Sequence, residues 1–253
     1  MIKAVVKRLL PSFALAAIRR RRSEKIISSL HSLEKDYLKL STAEVFRKIY
    51  SDKAWGSAED PGEPFFSGSG SHNAEVAGAY VKSVRKFLSS FSYKPGVVDL
   101  GCGDFGIGSS LRDLCGEYTA CDIVEPLVEF NRNKYYELNV DFRTLDLCQD
   151  DLPKGEVVFI RQVLQHLSNQ HIRNAIRQIE AKYKYLILTE HLPSSDSFIH
   201  NVDKPNGPGN RLALGSGVVV TSPPFNLAVK SKTPLCSTSE LGGVIKTCVY
   251  ELA

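Results

Sequence analysis

The sequence predicts an α/β domain built on a doubly wound, mostly parallel sheet. Short apolar runs alternate with helical patterns from about Gly96 to Glu190, and a glycine-rich segment follows the first run. Repeated β-α units with near-continuous apolar strands indicate a sheet covered on both faces, with right-handed crossovers. Acidic residues end three of these runs, at Asp99, Asp122 and Asp146. In such sheets the carboxyl ends of the strands form the ligand edge.

Seven strands are expected. Five of them fall at residues 96–100, 118–122, 141–145, 157–161 and 185–190, with helices at 74–90, 107–115, 126–138 and 169–183. Ser168 is a suitable N-cap for the last helix. Two late strands, at 227–234 and 244–252, are joined by a connection that contains glycine. The predicted strand order is 3-2-1-4-5-7-6 with strand seven antiparallel.

The chain divides into three predicted parts. Residues 1–50 form an N-terminal helical extension, which includes a helix from about Thr42 to Tyr50. Residues 51–73 are rich in Gly, Ser and Pro and are expected to be irregular. The only tryptophan, Trp55, and the pair Phe65-Phe66 favour order in this segment, because exposing them to water is costly. Residues 74–253 form the main domain.

Charge is distributed unevenly along the 253 residues. The net charge is +4, yet residues 1–22 carry seven basic side chains and no acid, so the rest of the chain is slightly acidic. That body lacks the basic face typical of nucleic-acid enzymes. The N-terminal apolar run is interrupted by charges and Pro11, which argues against a membrane span and a signal peptide. A helix that packs on its own domain and a basic amphipathic segment on an anionic membrane both remain open.

The six cysteines show neither a CxxC pair nor a Cys/His cluster with metal-ligand spacing. This pattern predicts reduced thiols and no metal site. The expected location is cytoplasmic, with peripheral contact to the inner membrane as the alternative.

The segment that follows the first strand carries the clearest chemical signal. Gly101, Gly103 and Gly106 satisfy GxGxxG, a pattern that equally suggests a dinucleotide dehydrogenase. Asp99 stands two residues before the first glycine, where a carboxylate repels a pyrophosphate but suits an α-amino group. A methionine-type zwitterion therefore fits this turn better than a dinucleotide.

Two further acids complete a nucleoside pocket. Asp122 ends the second strand, where a carboxylate can accept hydrogen bonds from both ribose hydroxyls, as it also does in NAD enzymes. Asp146 ends the third strand, where it can accept the adenine amino group while Leu147 packs on the ring. The competing interpretation is that Asp122 and Asp146 only cap the turns that follow them.

These motifs resemble the class I S-adenosylmethionine-dependent methyltransferases over about residues 74 to 195, with a Rossmann-like fold. The narrower resemblance is to bacterial methyltransferases of surface-polysaccharide gene clusters, through Trp55-Gly56, the Ser67 to Ser71 segment and a later Pro-Pro-Phe-Asn. It implies that residues 51–73, here called the Gly/Ser segment, close over the cofactor. The sequence departs from the pattern at Gln162, where an acid is expected. The cofactor-binding residues expected on these grounds are Trp55, Gly68, Gly70, Ser71, Asp99, Gly101, Cys102, Gly103, Asp122, Ile123, Asp146, Leu147 and Arg161.

Candidate catalytic residues follow strands four and five. His166 is placed to accept a proton from a hydroxyl as it is methylated, and Glu190-His191 supplies a second candidate base. A structural role for each is the competing interpretation. Asn201, Asp203 and Arg211 lie in a long Gly/Pro-rich loop and are the candidate substrate contacts. No metal ligand is expected at this site.

One motif is misleading. Ser222-Pro223-Pro224-Phe225 matches the motif with which N-methyltransferases hold an exocyclic amine, but that motif follows strand four in those enzymes and comes much later here. We therefore expect it to shape a turn before a late strand.

The predicted function is transfer of a methyl group from S-adenosylmethionine to a hydroxyl of a sugar or glycan precursor. The alternatives are an NAD(P)-dependent oxidoreductase, a non-catalytic module that binds the cofactor, and a nucleic-acid N-methyltransferase. The expected partner is a small-molecule or glycan acceptor.

Overall fold

The computed structural model describes residues 37–60, 62–195 and 197–253. The basic segment 1–22 and most of the predicted helical extension lie outside these residues. The helices are α1 Thr42–Ser51, α2 Ser69–His72, α3 Ala74–Leu88, α4 Gly106–Ser109, α5 Glu125–Lys134 and α6 Asn169–Lys182. The strands are β1 Val97–Leu100, β2 Tyr118–Asp122, β3 Asp141–Thr144, β4 Val157–Arg161, β5 Tyr185–Pro193, β6 Ile199–His200, β7 Ser216–Gly217, β8 Val229–Glu240 and β9 Gly243–Leu252.

The main sheet has seven strands in the order β3-β2-β1-β4-β5-β9-β8. The first five are parallel, and β9 pairs antiparallel with both β5 and β8. Counting only strands of this sheet, the order is the predicted 3-2-1-4-5-7-6, so the predicted fold is confirmed. Strands β6 and β7 form a separate two-stranded parallel pair in the loop between β5 and β8.

Apolar side chains cover both faces of the sheet. All four residues of β1 are buried, and its alternating side chains enter two different clusters, with Val98 and Leu100 in one and Val97 in the other. Burial on both faces explains why the central strands are apolar throughout rather than alternating. The carboxyl ends of β1, β2, β4 and β5 consequently open onto one edge of the sheet.

The predicted helix at 107–115 is wrong. The chain forms the single turn α4 and then a 3-10 turn at Arg112–Leu114. The hydroxyls of Ser109 and Ser110 both donate to the carbonyl of Gly106, at 2.8 Å and 3.3 Å, in competition with the helical backbone bonds.

Strand β5 is longer than predicted. It continues beyond Glu190 to Pro193 because it stays paired with β9 as far as the Pro193 to Gly243 position. His191 thus lies inside a strand rather than in the loop that follows it. Successive strand residues point to opposite faces, so Glu190 and His191 cannot enter the same cavity.

The strands β8 and β9 form a long hairpin closed by the two residues Leu241 and Gly242. Both have left-handed backbone, with φ of 43° and 76°. Such two-residue hairpin turns favour Asn or Gly at both positions, which makes Leu241 an unusual choice. Within the described part of the chain, no helix combines the length and hydropathy needed to cross a bilayer.

Candidate active site

A cavity of about 330 Å³ opens at the carboxyl edge of the sheet. This volume lies in the range of cofactor and substrate pockets. Every residue predicted to bind the cofactor, from Trp55 to Arg161, lines the cavity, as do His166 and His191. Glu190, Asn201, Asp203 and Arg211 are not in its wall.

The glycine-rich turn forms the floor of the cavity. Gly101 and Gly103 have φ of 76° and 56°, which side-chain-bearing residues rarely adopt. A Cβ on Gly101 would lie 2.4 Å from Val163, and one on Gly103 would lie 2.3 Å from the Ser67 hydroxyl. Glycine is therefore required at both positions for backbone shape and for close approach.

Two buried side chains hold this turn. The Asp122 carboxylate accepts from the backbone N–H groups of Gly103, at 3.1 Å, and Val124, at 3.0 Å. On α5, the fully buried Asn131 donates its amide to the Gly103 carbonyl at 2.7 Å. These bonds hold the turn in its shape.

The two central acids are buried yet face the cavity. Burial raises the pKa of Asp99 to about 7, although a hydrogen bond from the Tyr118 hydroxyl at 3.0 Å opposes the shift. Burial likewise raises the pKa of Asp122 to about 6 against the hydrogen bonds of Val124 and Gly103. Ionised carboxylates in such surroundings attract a cation, because charge is poorly screened there.

Asp146 serves the turn after β3. Its carboxylate accepts from the backbone N–H of Cys148 at 2.8 Å and from the Gln149 amide at 2.7 Å. These bonds correspond to the competing interpretation, in which Asp146 caps the turn that follows it. The residue also lines the cavity with Leu147, so both roles share one side chain.

The Gly/Ser segment covers the cavity and is attached to the glycine-rich turn. The Ser67 N–H donates to the Asp104 carboxylate at 3.0 Å, and the Asp104 N–H donates back to the Ser67 hydroxyl at 2.8 Å. His72 also binds Asp104, at 2.7 Å. Burial favours the neutral acid, but the bonds from His72 and Gly106 outweigh it and hold the pKa of Asp104 below its usual range.

Arg161, at the end of β4, binds the same segment from the other side. Its guanidinium donates to the Ser71 hydroxyl at 2.8 Å and to the Gly70 carbonyl, and it lies 5.1 Å from the centre of the Tyr80 ring. Its Nε has no hydrogen-bond partner among the described residues. Gln162 stands where the resemblance implies an acid. It lies so close to Gly70 that a Cβ on Gly70 would be 2.2 Å from the Gln162 side-chain oxygen.

An aromatic wall closes the end of the cavity near β4 and β5. The Trp55 ring lies 4.8 Å from that of His166, and Phe46 and Tyr50 of α1 pack against it at 6.2 Å and 5.4 Å. The indole N–H donates to the Pro208 carbonyl at 3.0 Å. Trp55 thus joins α1 to the long loop after β5.

Gln165 determines the hydrogen bonding of His166. The side-chain oxygen Oε1 of Gln165 accepts from the His191 backbone N–H at 3.1 Å. The side-chain nitrogen Nε2 must therefore be the group that faces His166 Nε2, at 3.2 Å. His166 Nε2 is then an acceptor and Nδ1 carries the proton. Burial, with a smaller contribution from the positive charge of Lys204, lowers the pKa of His166 to about 3.

His191 has the opposite tautomer. Its Nε2 lies 2.9 Å from the Glu240 carbonyl, which can only accept, so Nε2 carries the proton. Nδ1 is therefore the acceptor, and it lies 3.4 Å from the Asn210 amide, another cavity-lining group.

The other predicted catalytic and substrate-binding residues lie outside the wall of the cavity. Glu190 is buried on the other face of β5, where burial raises its pKa to about 8. Asn201 binds backbone groups of Val219 and Pro223, and Asp203 accepts from the backbone of Asn169. The fully buried Arg211 donates to the carbonyls of Val202, Leu164, Gln165 and Leu167. Asn201, Asp203 and Arg211 are thus placed to order the loop, whereas neither carboxylate oxygen of Glu190 has a hydrogen-bond partner among the described residues.

Ser222-Pro223-Pro224-Phe225 forms a turn, as expected, with the Phe225 N–H donating to the Ser222 carbonyl at 3.0 Å. Sequence reasoning missed Asp104, Asn131, Gln165, Asn210 and Glu240. Asp104 alone carried a local signal, since it directly follows Gly103.

Comparisons with known proteins agree with this geometry. Residues 97–184 match the family model described as a methyltransferase domain. Among curated proteins, none matches the chain. Magnesium protoporphyrin IX methyltransferase from Synechocystis PCC 6803, solved with bound S-adenosylmethionine, is 17% identical over 85% of this chain and 98% of its own, with a TM-score of 0.54. The N-methyltransferase NodS from Bradyrhizobium japonicum WM9, in complex with S-adenosyl-L-homocysteine, is 12% identical over 83% of this chain and 98% of its own, with a TM-score of 0.56. The two structures share the fold.

The residues present fit S-adenosylmethionine. The glycine cradle excludes side chains, two buried carboxylates face the cavity, and the Arg161 Nε lacks a protein partner among the described residues. Acidic side chains outnumber basic ones in the wall, which suits a ligand with sulfonium and ammonium charges. Residues 97–184 thus match a methyltransferase domain, and the cavity that they help to line fits S-adenosylmethionine.

Proposed function

We propose that the protein O-methylates a hydroxyl of a sugar or glycan precursor, with His191 as the general base. The observation that carries this proposal is the tautomer of His191, whose Nε2–H donates to the Glu240 carbonyl and leaves Nδ1 as the basic nitrogen, 3.4 Å from the Asn210 amide. The base lies at the carboxyl end of β5, in the wall of the cavity. A hydroxyl acceptor needs such a base, because its proton must leave as the methyl group arrives.

His166 is the weaker candidate of the two. Its Nε2 accepts from the Gln165 amide at 3.2 Å, a shorter contact than the 3.4 Å between His191 Nδ1 and the Asn210 amide. Its pKa of about 3 also makes it a poor proton acceptor near neutral pH. We assign to His166 a place in the aromatic wall beside Trp55.

When bound, S-adenosylmethionine supplies an electrophilic methyl group. The chain supplies position and proton transfer: the glycine-rich turn, Asp99 and Asp122 orient the cofactor side, and the loops after β4 and β5 hold the acceptor. The acceptor oxygen would bond to the methyl carbon as the carbon–sulfur bond breaks and S-adenosylhomocysteine leaves, and the hydroxyl proton would pass to His191 Nδ1. The charge that develops on the ring is stabilised by the Glu240 carbonyl, at 2.9 Å from Nε2.

The wall around His191 suits a sugar. Asn210 and Gln165 offer amide groups for hydroxyls, whereas Trp55 offers an aromatic face for the C–H side of a pyranose ring. The resemblance of the Trp55 and Gly/Ser segments to surface-polysaccharide enzymes supports the same acceptor class. A location near the inner membrane is part of this proposal and rests on the basic residues 1–22.

The experiment compares hydroxyl, amine and carboxylate acceptors with methyl-labelled cofactor. The His191→Gln variant keeps an N–H for Glu240 but lacks the basic nitrogen, and His166→Gln is its matched control. We expect methylation of a glycoside hydroxyl, a fall in kcat of about 10²- to 10⁴-fold in His191→Gln, and a much smaller fall in His166→Gln. Equal losses in the two variants, or transfer only to amines, would contradict the proposal.

Cofactor binding tests the alternatives separately. Calorimetry should show S-adenosylmethionine binding to wild type and to both variants alike, and no binding of NAD. Mass spectrometry of cellular glycans, with and without the protein, should then reveal an acceptor that lacks one methyl group.

A further inference from the structure

We infer that Glu240 is a positioning residue that links closure of the Gly/Ser segment over the cofactor to the orientation of His191. The catalytic part of this inference rests on the proposed function, in which His191 is the base. The structural part, a link between the segment and the His191 ring, is independent of the acceptor.

Glu240 makes contacts on two sides through different atoms. Its backbone carbonyl accepts from His191 Nε2 at 2.9 Å. Its carboxylate accepts from the Ser69 hydroxyl at 2.9 Å and from the Asn73 amide at 3.4 Å. Ser69 belongs to the cofactor-covering segment, and Asn73 caps the start of α3. One residue therefore joins the cover, the hairpin and the base.

The hairpin has little room to adjust at this point. The turn Leu241-Gly242 directly follows Glu240, and both residues have left-handed backbone. On the other side of the turn, a Cβ on Gly243 would lie 2.7 Å from His191 Nε2 and 2.7 Å from the Leu192 carbonyl. Because the tip packs directly on the imidazole, a shift of the tip moves the hydrogen-bond acceptor of that ring.

A functional consequence follows from this arrangement. When the segment is closed, Ser69 and Asn73 hold the Glu240 side chain, and the adjoining carbonyl holds His191 with its proton on Nε2. When the segment opens, Glu240 loses Ser69 and keeps only the longer side-chain bond from the Asn73 amide, at 3.4 Å. The tip is then held by the pairing of β9 with β8 and β5 and by the Ser194 hydroxyl, which donates to the Gly242 carbonyl at 3.2 Å. Closure over the cofactor therefore completes the base, which favours cofactor binding before methyl transfer.

The test uses the full chain and three variants. Glu240→Ala removes both side-chain contacts, whereas Glu240→Gln keeps an oxygen that can accept from Ser69. Glu251→Ala is the matched control, since Glu251 lies at the far end of the same hairpin, where its carboxylate accepts from the Ser231 hydroxyl at 3.4 Å. Trp55, the only tryptophan, lines the cavity and reports S-adenosylmethionine binding by fluorescence.

In Glu240→Ala we expect S-adenosylmethionine to bind roughly three- to tenfold more weakly, with a smaller effect in Glu240→Gln and none in Glu251→Ala. Adding Ser69→Ala to Glu240→Ala should weaken binding no further. In ¹⁵N spectra of the histidine rings, the His191 signals should show the Nε2–H form in wild type and a mixture of tautomers in Glu240→Ala. The pH profile of kcat should shift in Glu240→Ala and recover in Glu240→Gln.

Two results would overturn the inference: unchanged cofactor binding and His191 signals in Glu240→Ala, or equal changes in Glu251→Ala. Both measurements are made without an acceptor. A protein that shows the Glu240 effects but methylates no hydroxyl would refute the proposed function and leave the link between Glu240 and His191 intact.

Discussion

Replacing Gly103 by alanine would add a methyl group at the point where the Gly/Ser segment meets the glycine-rich turn. Two costs can be separated. The left-handed backbone at φ of 56° costs alanine about 1–2 kcal/mol, and the domain bears this cost whether or not the segment is closed. We therefore expect the melting temperature to fall by about 2–8 °C.

The second cost falls on closure alone. The added Cβ would lie 2.3 Å from the Ser67 hydroxyl and 3.0 Å from its Cβ, so Ser67 must move away. Movement breaks the two hydrogen bonds that Ser67 exchanges with Asp104, at 3.0 Å and 2.8 Å. At about 0.5–1.5 kcal/mol for each bond, closure loses about 1–3 kcal/mol, or roughly 5- to 150-fold in S-adenosylmethionine affinity.

Calorimetry of cofactor binding and thermal unfolding measure the two costs independently. Ser67→Gly removes the atoms that collide, at the loss of one bond to the Asp104 N–H. In that background, Gly103→Ala should lower the melting temperature as before but should weaken cofactor binding no further. A loss of affinity as large in the Ser67→Gly background as in wild type would refute the steric argument.

Three further changes test other parts of the site. Burial raises the pKa of Asp99 to about 7, so the stability that its protonated form contributes is present at about pH 4 and is lost as the pH rises to about 7. Affinity for the cationic cofactor should increase over the same range. Titrations of stability and cofactor affinity check this in wild type and in Asp99→Asn, and the variant should lack both trends. Asn131→Leu leaves the buried Gly103 carbonyl without its 2.7 Å partner and should cost about 1–3 kcal/mol in denaturant unfolding, and an unchanged midpoint would contradict it. Leu241→Asn places a residue that tolerates left-handed backbone in the hairpin turn and should raise the melting temperature by about 2–4 °C, while a lower value would show that the Leu241 side chain stabilises the tip.

The glycine-rich side of the cavity could be predicted from the sequence because its signals are local. Asp99, Asp122 and Asp146 each end an apolar run, and a parallel sheet places the carboxyl ends of its strands at one edge. The glycine pattern of the turn already suggests left-handed backbone, and Gly101 and Gly103 adopt it, with φ of 76° and 56°. Once the strands were recognised, topology was sufficient to place these residues around one cavity.

The acceptor half could not be predicted in the same way. Glu190 and His191 are neighbours in sequence, and only pairing of β5 with β9 as far as Pro193 shows that they lie on opposite faces. Gln165 lies in the 3-10 turn after β4, Asn210 in the loop after β5 and Glu240 at the end of β8, and no spacing connects them. Their roles follow from hydrogen bonds between residues far apart in sequence.

The sequence by itself determined the seven-stranded order and the glycine cradle with its acids, since these depend on hydrophobic periodicity and on residues a few positions apart. Tertiary structure alone decided the tautomers of His166 and His191 and the attachment of the Gly/Ser segment through Asp104 and Glu240. The physical reason is that a proton's position on an imidazole, or the closure of a segment, depends on which donor and acceptor are brought together by folding.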